Sequence, residues 1–140
     1  MTIGAGKRSV TVGTLARSDT ILSANSCSGI INCSGNGANN GLANGLNQKT
    51  VEVLMAQTLS ITYNINLVSG YLADTISSQN CVAYLTPAPA GLELSPNATV
   101  VQTQAAANAL IGGSIKGGAT TQGQASAMNN LLSCLNRETP

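Results

Sequence analysis

The sequence predicts an α+β domain: a small N-terminal β element followed by about three main helices, with disulfides supporting a single unit over residues 1–140. Three observations lead there. Residues 9–14, Ser-Val-Thr-Val-Gly-Thr, alternate polar and apolar side chains with β-branched types, the pattern of a strand with one buried face. Two Ser/Thr-x-x-Glu/Gln boxes, Thr99 to Gln102 and Thr121 to Gln124, each open an apolar-rich run, as helix starts do. Four cysteines stand without a histidine or a Cys-x-x-Cys pair, which points to crosslinks and away from zinc. A chain of 140 residues is long enough to bury one real core and too short for two ordinary domains.

The elements follow in order. Residues 1–14 form an extended N-terminal segment whose apolar face is Val10 and Val12. Thr14 then precedes Leu15, Ile21 and Leu22 at a spacing that suits a short helix ending before Asn25-Ser26-Cys27. Residues 34–47 hold Asn-Gly three times and read as a loop, since both residue types tolerate positive φ and no paired alternating runs flank them.

Residues 50–68 are the longest apolar-rich stretch. Val51, Met55, Leu59 and Thr62 fall on one helical stripe and Leu54, Ile61, Ile65 and Val68 on the next, which predicts a central helix with a wide buried face. A competing strand pattern runs through Leu59, Ile61, Tyr63, Ile65 and Leu67. Residues 72–76 suit a further short helix, and the two prolines of residues 86–91 mark a connector. The Thr99 box starts a helix expected to reach Ile111 and stop at Gly112-Gly113. The Thr121 box starts another, with Ala125, Met128, Leu131, Leu132 and Leu135 on one stripe.

Four cysteines allow three pairings. The favoured one joins Cys27 to Cys33 around a local loop and Cys81 to Cys134 across the second half of the chain. Four free thiols in a reducing compartment are the alternative. Disulfides imply export to an extracellular or cell-surface location. Residues 1–6 lack a signal peptide's apolar stretch, so an exported chain is expected to begin after the signal or to be an excised piece.

Charge is the strongest anomaly. Asp, Glu, Lys and Arg make up 8% of the chain, against roughly 25% in ordinary soluble domains. Hydrophobic content is an unremarkable 43%, so Asn, Gln, Ser, Thr and Gly have replaced the charges. A net charge of +1, with Lys7-Arg8 the only adjacent basic pair, argues against nucleic acid and anionic membranes. No run approaches the roughly 18 apolar residues of a membrane span. Without histidine, Ser-His-Asp, Cys-His and histidine-metal sites are excluded, and the five acids Asp19, Glu52, Asp74, Glu93 and Glu138 are widely dispersed. Residues 112–118 lack the Gly-Lys-Ser/Thr order of a phosphate loop, and residues 36–47 lack the acids of a calcium loop. No catalytic residue, cofactor or metal ligand is assigned. Asn32 and Asn97 open glycosylation sequons.

Val51-Glu-Val-Leu-Met-Ala-Gln-Thr-Leu-Ser-Ile-Thr-Tyr-Asn-Ile-Asn-Leu67, the Thr99-Val-Val-Gln run to Gly113 and Met128-Asn-Asn-Leu-Leu-Ser-Cys134 are similar to segments of a domain of secreted and cell-surface bacterial proteins, Bacteroidetes-like and of unassigned function. The resemblance spans residues 49–134. It implies helix packing and a closing helix pair, and it brings no catalytic residue; the family's aromatic Tyr-Trp-Lys-Asn-His type box is absent.

A surface with almost no net charge does not repel its copies. The expectation is therefore a non-enzymatic extracellular structural subunit that self-assembles into a filament, sheath or matrix, residues 2–14 adding to a neighbour's sheet edge with Val10 and Val12 filling pockets. The alternative is an adhesin module of a larger surface protein, using residues 34–47 and Tyr71 or Tyr84 against glycans.

Overall fold

The longest apolar segment is helical from end to end in the computed structural model, which describes residues 1–6, 8–27, 30, 31, 33, 42, 43, 46–85, 94–113 and 119–138. Two strands, β1 (Thr2–Ala5) and β2 (Arg8–Thr11), precede four helices: α1 (Leu15–Leu22), α2 (Gln48–Leu67), α3 (Val100–Gly112) and α4 (Gln122–Glu138). Single 3-10 turns lie at Tyr71–Ala73 and Val82–Leu85. The α+β class and both disulfides match the reading of the sequence, and the short α1 brings the helices among the described residues to four.

The strand alternative for residues 59–67 loses to the helix, which buries most of both stripes and leaves Ile65 and Val68 half-buried. Val51, Leu54, Met55, Leu59 and Ile61 are each at most 1% exposed. Burial on alternate residues alone would have left Met55 and Leu54 on opposite faces. Thr58 and Thr62 share this buried face, and each hydroxyl donates to the carbonyl one turn back, on Leu54 and Thr58, at 2.7 Å. Their polar atoms are thus satisfied inside the helix itself.

The caps fall where the side chains dictate. Thr14 Oγ1 accepts from Arg17 N to start α1, and Asn47 Oδ1 accepts from Lys49 N to start α2. Thr99 and Gln102 make the full reciprocal box, and α3 ends on Gly113 in the left-handed region at φ 85. Thr121 and Gln124 repeat the box, with Gln124 Oε1 accepting from Thr121 N at 3.0 Å and Thr121 Oγ1 from Gln124 N at 3.2 Å. Ala125, Met128, Leu131, Leu132 and Leu135 are all buried, as their stripe predicts. Residues 72–76 differ from expectation. Val68 ends α2, Gly70 turns the chain at φ 81, and only the 3-10 turn at Tyr71–Ala73 forms before Thr75 bridges to Thr99.

Uncharged side chains do the work that ion pairs do elsewhere. α2 and α4 run parallel, joined at one end by Gln122 to Thr50 and at the other by Asn136, whose Nδ2 donates to Gln57 O and Oε1 while Asn64 Nδ2 donates to its Oδ1. Among the described residues the ion pair is Lys49–Glu52, at 3.8 Å. Buried Tyr71 crosses to α4 and donates its hydroxyl to Leu135 O at 2.6 Å. Residues 7, 28, 29, 32, 34–41, 44, 45, 86–93, 114–118, 139 and 140 lie outside the described set, and with them Glu93 and the Asn32 sequon. Leu42 and Leu46 of the Asn/Gly-rich segment are described, and they are core residues, 1% and 5% exposed, with Leu42 bridging to Thr120.

Candidate assembly edge

The N-terminal segment pairs with itself. β1 and β2 form an antiparallel hairpin with Ile3 opposite Val10 and Ala5 opposite Arg8, turned by Gly6 at φ 57. The sequence expectation of one extended strand missed this because Thr-Ile-Gly-Ala is short and interrupted by glycine. Gly4 is in fact required: it sits at φ 90, and a Cβ there would lie 2.1 Å from Arg8 O.

Val10 and Val12, expected to fill a neighbour's pockets, are instead 4% and 8% exposed in the core of their own chain, Val10 opposite Ile3. The alternation that marked them signals a buried face without saying whose core buries it.

One edge of the hairpin is closed. Asn108 Oδ1 on α3 accepts from Gly4 N at 2.8 Å, and Arg8 Nε donates to Ile111 O at 3.0 Å. Gly112 lies so close under Ala5 that an added Cβ would meet its Cβ at 2.8 Å and its carbonyl oxygen at 2.9 Å. Arg8 is 8% exposed, and its Nη2 is buried with no partner among the described residues. Burial pulls this guanidinium below its usual pKa by desolvation.

Among the described residues the other edge is open. Val12 N donates to Met1 O, so the bonded pairs alternate as Met1–Val12, Ile3–Val10 and Ala5–Arg8. The backbone groups of Ser9 and Thr11 therefore point away from β1, and both residues are exposed. No described strand or helix covers them; β2 contacts only β1 and α3. The usual edge guards, an outward Lys, a Pro or a bulge, are missing at Ser9 and Thr11.

Beyond Thr11 lies an apolar end. Ser18 on α1 and Tyr63 on α2 share a hydrogen bond at 2.8 Å, and α1 runs antiparallel to α2 from there, with Cys27 N donating to Glu52. One turn outward from that bond, Leu15 begins α1 and Leu67 ends α2, and they are 78% and 79% exposed.

The cysteines pair as favoured, Cys27 with Cys33 and Cys81 with Cys134, and none is free. Two disulfides are compatible with an extracellular protein. Among the described residues no helix is long and apolar enough to cross a membrane, and no group of three or more Cys, Asp or Glu side chains gathers for a metal. Tyr71, offered as a glycan contact, is 1% exposed and unavailable for that role; Tyr84 is 39% exposed. Comparison with protein families, with characterised proteins and with solved structures found no match.

Proposed function

We propose that this chain is a non-enzymatic extracellular structural subunit that adds copies of itself into a filament, sheath or matrix. The observation that supports it is the unguarded outer edge of β2, on a protein whose net charge of +1 offers no repulsion between copies. Antiparallel pairing of β2 with β2 of a second copy joins two hairpins into a four-stranded sheet about a twofold axis. That arrangement places the two Leu15/Leu67 ends at opposite extremes of the sheet. Covering these leucines in turn is worth about 1.5–3 kcal/mol per side chain, which extends pairs into longer assemblies.

Three of the five acids have described side chains. Glu52 accepts from Cys27 N, Asp74 accepts from Gln79, and Asp19 is exposed on α1. Thr11→Pro tests the edge, because it removes an outward N–H while the inward ladder at Ile3–Val10 is left intact. Assembly followed by light scattering falls to the monomer baseline in this variant, with unfolding in urea little changed. Unaltered assembly by a folded Thr11→Pro chain overturns the proposal.

A further inference from the structure

Where α2 and α4 begin, their polar seam opens into a cleft of about 410 Å³, within the size range of small-ligand sites. Asn47, Thr50 and Val53 line it from the α2 side; Ser126, Asn129 and Asn130 line it from α4. Among the described residues Lys49 is the one charged residue on its wall, and its ammonium group donates to Ala24 O at 2.9 Å and faces Glu52 at 3.8 Å. The cleft therefore offers a ligand neutral hydrogen-bonding groups.

Their bonding capacity is specific. Gln122 Nε2 donates to both Thr50 Oγ1, at 2.9 Å, and Ser126 Oγ, at 3.1 Å, so each hydroxyl already accepts and keeps its proton to give. Asn129 Nδ2 donates to Thr50 O at 3.2 Å, while its Oδ1 is enclosed with no partner among the described residues. An enclosed acceptor left unpaired is costly, and turning the Asn129 amide toward the cleft exchanges its Nδ2 bond to Thr50 O for a bond from a ligand hydroxyl to Oδ1. Asn130 is exposed. Val53 adds an apolar surface.

We propose that this cleft binds a neutral saccharide unit. Sugar hydroxyls donate to Asn129 Oδ1 and accept from Thr50 and Ser126, and a C–H face of the ring rests on Val53. A uronate or phosphate meets, among the described residues, only the Lys49 ammonium group, which Ala24 O and Glu52 already engage. The site uses none of the residues of the β2 edge, so it goes beyond the assembly reading, and either stands without the other.

Cellotriose and chitotriose, titrated into the ¹⁵N-labelled full chain up to about 10 mM, test it, since hydrogen-bond recognition without ring stacking places Kd near about 1 mM. Shifts confined to residues 47–53 and 126–130 with at least one of the two are expected. The double variant Ser126→Ala/Asn130→Ala weakens binding roughly tenfold, the loss expected for one to two net hydrogen bonds. Asn129→Leu replaces the unpaired acceptor with an apolar side chain of similar shape and abolishes the shifts; its urea midpoint reports that the fold persists. Three results each overturn the proposal: no shifts with either sugar, shifts centred elsewhere, or equal binding of trigalacturonate.

Discussion

Removing the Cys81–Cys134 bridge isolates the contribution of a single long crosslink. The two cysteines are 53 positions apart, against 6 for Cys27–Cys33. In the loop-entropy relation the long bridge restricts the unfolded chain by about 4 kcal/mol and the short one by about 2 kcal/mol. Cys81 and Cys134 are 0% and 5% exposed, so alanine is the appropriate replacement; serine would bury a new hydroxyl. Lost packing of the two sulfurs adds about 1 kcal/mol. The double alanine variant therefore loses about 5 kcal/mol, a large part of the 5–15 kcal/mol that holds a typical domain folded. At an m-value of about 2 kcal/mol/M, its urea midpoint falls by roughly 2.5 M. The corresponding Cys27/Cys33 variant falls by about half as much for the entropic part. Equal losses for the two bridges, or a loss under about 1 kcal/mol for the long one, would refute the loop-entropy reasoning for this fold.

Other perturbations follow from single contacts. Gly112→Ala gains about 1 kcal/mol of helix propensity but drives a methyl against the Ala5 backbone and Cβ, so urea denaturation should show a net loss of about 1–2 kcal/mol. Asn136→Leu removes the junction that holds Gln57 and Asn64 between α2 and α4; it costs about 1–3 kcal/mol by the same measurement, because partners are left half-buried and unpaired.

The helices were legible because their signals are local. Thr99 with Gln102 and Thr121 with Gln124 satisfy each other within one turn, so the four residue types at that spacing suffice to place both starts. The stripe from Ala125 to Leu135 needed only the helical period. The hairpin was not legible, since its stability rests on distant groups: Asn108 accepting from Gly4, Ile111 accepting from Arg8, and Gly112 making room for Ala5. A buried Arg8 is equally invisible in a sequence where it follows Lys7 and looks like a basic surface pair. The saccharide cleft also escaped the reading, because Asn47, Thr50, Ser126 and Asn129 meet only once two helices some seventy residues apart run side by side. What the composition did convey was the chemistry of the seam. A chain so poor in charge must join its helices with amides and hydroxyls, and Gln57, Asn64, Gln122 and Asn136 do that.

Self-association of the non-reduced chain, followed by light scattering and negative-stain electron microscopy beside the Thr11→Pro variant, tests the assembly role most directly. Ordered oligomers or filaments that the variant fails to form are the predicted result. A monodisperse monomer at every concentration, or identical assemblies from both chains, would contradict it.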